Sequence, residues 1–263
     1  MTERLTTLRI MRRGITTLIA VAMLAGASPA WAQSGGSPVV VELFTSEGCN
    51  SCPPADALLF DLREDDDVLA LAFHVDYWDY LGWQDRFASR DFTNRQRGYA
   101  RALGSPMVYT PQMVVNGADH VVGSARSKVY AAIAEAREKR TVNLDIGLSM
   151  DDHQSLTVSI PAATYHGEAT IWFVRYALEE HSSVTSGENS GRLLRHANVV
   201  EELTAIGMWK GEAMDITLPW EAIEGEAQDD EYEGFGCAII VQQEGLGPIL
   251  GAREITWDQH PGS

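Results

Sequence analysis

Between Pro38 and Arg140 the chain alternates short apolar runs with stretches whose apolar residues recur every three or four positions. Val39 to Phe44 has the length and composition of a strand covered on both faces. Asn50 to Glu64 follows with Leu58, Leu59 and Leu62 at helical spacing. Pro53 and Pro54 fit its first turn, where a missing N–H costs nothing. Val68 to Val75 predicts a second buried strand. Asp91 to Leu103 predicts a helix with Asp91 as N-cap and Phe92, Tyr99 and Leu103 along one side. Asn116-Gly117 is a hairpin turn between Gln112–Val115 and His120–Val122. A helix from Ser124 to about Arg140 buries Val129, Ala132, Ile133 and Ala136. This order predicts a small α/β layer with parallel central strands and an antiparallel hairpin at one side.

After Arg140 the period changes to two. Val142, Leu144, Ile146 and Leu148 alternate with polar or small residues, and Asp151-Asp152 makes a turn before Leu156, Val158 and Ile160. Trp172-Val174-Tyr176-Leu178, Met214-Ile216-Leu218-Trp220 and Cys237 to Val241 continue the pattern, with turn clusters such as Ser186 to Gly191 between them. The expected fold class is therefore α+β: an N-terminal α/β domain over 38–140 and an antiparallel β-sandwich-like domain over 141–263.

Residues 1–32 have the form of a cleaved export signal. Arg4, Arg9, Arg12 and Arg13 precede the uncharged stretch Gly14 to Ala27, and Ala30-Trp31-Ala32 has the small-x-small form of a cleavage site. The apolar stretch is short for a membrane span, and a polar linker, 33–37, follows. Arg12-Arg13 matches a twin-arginine signal poorly in its flanks. The expected location is periplasmic or secreted, with no membrane insertion after cleavage. The net charge of −17 argues against nucleic acid and anionic membranes as partners.

An exported chain with three cysteines cannot be a disulfide-framed miniature fold. Cys237, in Phe235-Gly236-Cys237-Ala238, reads as a small buried apolar residue. Cys49 and Cys52 stand three apart between a strand end and a helix start. There the helix N-terminus favours a thiolate, so Cys49 should be an accessible nucleophile and Cys52 a shielded resolving thiol. Two further readings stay open. Cys49, Cys52 and His74 could hold copper or another soft metal, although a closed zinc site wants four ligands. Alternatively the pair is a static bridge in a binding module, where so short a loop stabilises little.

The segment His74 to Phe87 carries five aromatics and three aspartates, and it leaves the C-terminal end of a parallel strand. Asp76 and Trp78 are candidates for a substrate-binding rim. The competing reading is that Trp78, Tyr80, Trp83 and Phe87 cement the loop. Glu42, if buried, is a possible proton acceptor for Cys52, or else a salt-bridged strand residue. His74 has an equally simple structural reading. His196 and the Gly187-to-Arg192 segment read as loop structure, and Asp229-Asp230-Glu231 as a solvated turn.

The Cys-x-x-Cys at the strand-to-helix junction, with Thr110-Pro111 just before a strand, resembles the thioredoxin superfamily across residues 38–140. The resemblance implies that Cys49 attacks, Cys52 resolves, Pro111 is a cis-proline, and Thr110 lies beside it facing substrate. It also implies no cofactor beyond a redox-active Cys49–Cys52 disulfide, and protein thiols or disulfides of the cell envelope plus a redox partner as partners. The sequence departs from the superfamily in its Asn50-Ser51 centre, in Ser46-Glu47-Gly48 before the pair, and in the position of Glu42. "VELFTSEGCNSCPPAD", "HVDYWDYLGWQDRF", "YTPQMVVNG" and "GENSGRLLRHANVV" together are similar to the bacterial secreted-protein family known as domain of unknown function 1223. That family implies the same two-part architecture and carries no established activity.

Overall fold

The computed structural model describes residues 36–140, 142–151, 154–225 and 234–257. The expected export signal, most of the linker, Asp152 of the expected turn and the acidic run 229–231 lie outside the described residues. In chain order the elements are β1 (Val39–Thr45), α1 (Pro53–Arg63), β2 (Val68–His74), α2 (Arg90–Ala102), β3 (Gln112–Val115), β4 (Asp119–Val122) and α3 (Arg126–Glu138). There follow β5 (Gly147–Met150), β6 (Leu156–Ile160), β7 (Ala169–Ser183), β8 (Leu193–Trp209), β9 (Met214–Leu218), α4 (Trp220–Glu224), β10 (Phe235–Gln243) and β11 (Ile249–Trp257).

The fold is α+β, dominated by one mixed sheet of eight strands in the order β11-β10-β7-β8-β2-β1-β3-β4. β1 and β2 run parallel, and β3 and β4 join them as an antiparallel hairpin. Asn116 and Gly117 take φ of +50° and +65° at its turn, the left-handed conformation that Asn and Gly tolerate best. The change of pattern at Arg140 does not interrupt the sheet. β8, from the second half of the chain, pairs parallel with β2 at Ala72 and Val199. Next to that contact Asn198, at φ +47°, donates its side-chain amide to the Ala70 carbonyl at 2.8 Å. β5, β6 and β9 form a separate three-stranded sheet that shares a hydrophobic cluster with Ile171, Phe173, Ile239 and Val241 of the large one.

Several element ends differ from the expectation. α1 begins at Pro53 rather than Asn50, because residues 46–52 fold as tight turns: Cys49 N–H donates to the Ser46 carbonyl at 3.1 Å and Cys52 N–H to that of Cys49 at 3.2 Å. Ser89, not Asp91, caps α2, its hydroxyl accepting from the Asp91 N–H. α3 starts two residues after Ser124. Trp220 leaves the β9 strand for α4. β8 escapes the alternation rule because its pairing with β7 slips at two bulges, which shift the side-chain faces along its 17 residues.

β1 divides its side chains between two cores. Val39, Val41 and Leu43 pack on Leu58, Leu59 and Leu62 of α1. Glu42 points to the opposite face, where Arg95 of α2 grips it bidentately at 2.6 and 3.0 Å. Tyr99 donates to the same carboxylate at 2.5 Å, and Gln242 of β10 accepts from Arg95 at 3.1 Å. This settles Glu42 as a salt-bridged strand residue, on the wrong side of the sheet to serve Cys52. Removing one member of a buried ion pair strands its partner in a low dielectric, which costs about 3–5 kcal/mol. Arg95→Met should cost about that much in urea unfolding, and Arg95→Met with Glu42→Leu should recover most of it. A double variant no more stable than the single one would contradict this account.

Candidate functional site

The site is built where β1 ends. Thr45 leaves the strand, the turns at 46–52 reverse the chain, and Cys52 sits at the N-cap of α1 with Pro53 and Pro54 in its first turn. Cys49 and Cys52 form a disulfide with Cα atoms 5.5 Å apart. Asn50 and Ser51 are exposed, whereas Cys49 is only 1% and Cys52 0% accessible. The expected accessible Cys49 is thus covered in this state. Its Sγ lies 3.3 Å from the Ser51 hydroxyl.

The wall beside the pair comes from two loops. The Thr110-Pro111 peptide is cis. Gln112 pairs with Phe44 in the sheet register, so Pro111 lies level with Thr45. A Cβ placed on Gly123 would meet both Ala55 of α1 and Pro111, at 3.1 and 3.3 Å, so a glycine is needed where the hairpin passes between the proline and the first turn of the helix. Trp78 joins the loops: its indole N–H donates to the Thr110 hydroxyl at 2.8 Å, and its Cβ would stand 2.9 Å from a side chain at Gly48. A glycine is therefore required just before Cys49 for Trp78 to approach. Asp76 faces elsewhere: its carboxylate accepts from Thr93 at 2.6 Å and lies 3.5 Å from Arg90, tying down the first turn of α2.

Behind the cysteines lies a buried group of acids and histidines. His74 Nδ1 and Asp85 Oδ2 are 2.7 Å apart, both fully enclosed, and the same carboxylate oxygen accepts from the Glu47 N–H at 2.9 Å. His196 of β8 packs edge-on against the His74 ring at 4.6 Å, and its Nε2 lies 3.5 Å from Glu47 Oε1, a contact without hydrogen-bond alignment. Trp83 donates to Glu47 Oε2 at 2.6 Å. Asp56, one turn into α1, accepts from the Thr45 hydroxyl at 2.8 Å while its own N–H donates to the Cys52 carbonyl.

Burial works against every charge here, and the partners decide which survive. Desolvation lowers the His74 pKa, but the charge and hydrogen bond of Asp85 outweigh it and raise it overall. Desolvation raises Asp85, and His74 reverses that, so its carboxyl stays below the usual range. Glu47 is likewise held low against burial by His196, Ser182 and Trp83. Asp56 is different: burial dominates and raises its pKa, with His196, His74 and Thr45 offsetting only part. This carboxyl, at the turn below Cys52, therefore holds its proton more readily than an exposed aspartate does. Cys237 is remote from this chemistry, its thiol pushed up to about 12 by burial.

The second half of the chain supplies the cover. Asn189, in the turn between β7 and β8, donates its side-chain amide to the carbonyls of Glu47 at 2.8 Å and Cys49 at 3.1 Å. Sequence reasoning took His196 and this turn as loop structure and missed Asn189, Glu47, Asp56 and Asp85. Of these, only Asp56, four residues after Cys52, carried a signal in helical spacing. Among the described residues no group of three or more His, Cys, Asp or Glu could hold a metal ion, and His74 Nδ1 is committed to Asp85.

The buried His74–Asp85 pair predicts a pH dependence. His74, raised, contributes fully below its unfolded value of about 6.5 and loses that contribution as pH rises through its folded value. Asp85, lowered, contributes fully above about 3.9 and fades as pH falls through its folded value. Asp85→Asn should therefore cost about 3 kcal/mol near pH 5.5, and distinctly less near pH 9.5, in urea unfolding. A deficit that does not change with pH contradicts a charged pair.

Comparison with known proteins agrees with this architecture. The sequence model of the family described as "Protein of unknown function (DUF1223)" matches residues 40–242. The crystal structure of protein AGR_C_4864 from Agrobacterium tumefaciens is 34% identical, with a TM-score of 0.71 over 84% of this chain and 95% of that one. HBP35 of Porphyromonas gingivalis superposes with a TM-score of 0.56 over 86% of this chain and 77% of its own, at 15% identity, a likeness of fold alone. No curated protein matches the chain. With most of its length matched, the chain belongs to the DUF1223 family of proteins of unknown function.

Proposed function

We propose that this protein is an exported thiol–disulfide oxidoreductase, in which residues 38–140 form a thioredoxin-like domain and residues 141–263 a β-rich one. The observation that carries the reading is the Cys49–Cys52 disulfide at the N-terminus of α1, beside Trp78, which bonds Thr110 and closes on Gly48. A static bridge closing so short a loop adds little stability, so exchange is the better use of the pair. The basic, apolar, small-x-small order of residues 4–32 supports export to a compartment where disulfides persist.

In the reducing direction, the Cys49 thiolate attacks a substrate disulfide, forming a mixed disulfide and releasing one substrate thiolate. The Cys52 thiolate then attacks Cys49 Sγ, releasing the second substrate thiolate and closing the Cys49–Cys52 bond. Two electrons pass from the enzyme pair to the substrate, and each released thiolate takes up a proton. Asp56 accepts the Cys52 proton in this scheme, the role that Glu42 is turned away from. The oxidising direction runs the same steps backwards, and a protein thiol or disulfide of the envelope serves as partner. No metal enters the scheme.

Cys52→Ala, expressed in the native cell envelope, should accumulate covalent adducts that a reductant releases and that a Cys49→Ser, Cys52→Ala control lacks. Adducts that form equally in the control, or none at all, would sink the reading.

A further inference from the structure

The turn joining β7 to β8 is bonded to the backbone on both sides of Gly48, beside a Cys49 that is only 1% accessible. Its ends are closed on each other by the Val184 N–H donating to the Arg192 carbonyl at 3.0 Å, and Val184 is buried. Every residue from Thr185 to Gly191 is polar or glycine. It therefore holds to the site by hydrogen bonds rather than by apolar packing. Asn189, fully buried, bonds the carbonyls on either side of Gly48 and is itself held by Arg192, which donates to its Oδ1 at 2.9 Å. At the far side Ser186 donates to the Gly82 carbonyl at 2.5 Å, and Gly187, at φ +74°, leaves room for Trp83. Glu188 reaches only a long 3.4 Å contact with the Asn50 N–H. Segments with few buried apolar contacts open at the low end of a protein's stability range. Hydrogen bonds exchanged for water on opening cost little net free energy.

We propose that Thr185–Gly191 is a lid, latched by Asn189, that must lift before a sulfur can reach Cys49. Lifting frees the Glu47 and Cys49 carbonyls, which are acceptors for the N–H groups of an incoming polypeptide chain. The second half of the chain thus governs access to the pair. This deepens the exchange reading and rests on it for its biological purpose, but the gating itself is a property of the disulfide and can be measured without a protein partner.

The probe is dithiothreitol. One of its thiolates attacks Cys49 Sγ and displaces the Cys52 thiolate, which is protonated from solvent. Its second thiol, as thiolate, closes the dithiothreitol ring and releases Cys49, so one dithiol is oxidised as one disulfide is reduced. The rate is followed by the mass gained on alkylating quenched samples, with near-UV circular dichroism checking that each variant is folded. Asn189→Ala should be reduced about 10-fold faster than the wild type. Ser186→Ala, which touches only the Gly82 side of the lid, should be reduced about 3-fold faster. If Asn189→Ala does not fold, replacing 185–191 with Asn-Gly between the paired Val184 and Arg192 takes its place, with the same expected gain. Equal rates for all proteins overturn the lid. Acceleration in Asn189→Ala but not in Ser186→Ala also overturns it, since Asn189 would then merely order the cysteine loop. Failure of adduct trapping in the cell envelope, by contrast, bears on the exchange reading and leaves these rates unaffected.

Discussion

The site depends on the seam between β2 and β8. One register pair, Ala72 with Val199, and one side-chain bond, from Asn198 to the Ala70 carbonyl, join the two halves of the large sheet at its middle. Arg63 at the end of α1 strengthens the join by donating to the Leu178 carbonyl of β7 and lying 3.6 Å from Glu179. Close to that join His196 packs on the His74 ring, and Asn189 of the β7–β8 turn bonds the Glu47 and Cys49 carbonyls. Without the seam the cysteine loop would lack both its histidine partner and its cover.

The seam also explains how so many charges can be enclosed. Glu47, His74 and Asp85 are each at most 3% accessible, and isolated charges at such depth cost several kcal/mol each. Here opposite tendencies are set against each other: Asp85 sustains His74, and His196 and Trp83 sustain Glu47. Asp56 is the carboxyl of the group whose pKa is raised by burial rather than lowered by its partners. On the other face of the sheet the Glu42–Arg95–Tyr99–Gln242 group does a different job. It pins α2 to β1 and β10, and it also crosses between the two halves of the chain.

Sequence periodicity revealed much of the N-terminal architecture because its strands are short and regular, and β1, β2 and β3 are buried throughout. β1, β2, the Asn116-Gly117 hairpin and the three helices follow from local patterns within a few residues. The cysteine pair and Thr110-Pro111 were legible for the same reason, as each is a local motif. What periodicity could not reveal was β8, whose bulges break the alternation, and with it the joining of both halves in one sheet. Asn189 and His196 were illegible because their roles come from contacts more than 100 residues away in sequence, as the separations of 142 and 140 for the Asn189 bonds show. For Glu42 the sequence left two readings open, and alternation along β1 turns it to the face opposite α1, where the tertiary fold places Arg95.

The central claim is that Cys49–Cys52 is an exchangeable pair and not a fixed bridge. Equilibrating the protein against graded mixtures of reduced and oxidised glutathione, and quantifying both states after acid quenching and alkylation, tests it most directly. The account predicts a single two-electron transition with a midpoint between about −120 and −270 mV, the span of known Cys-x-x-Cys exchangers. A pair that stays oxidised across that whole range would contradict it.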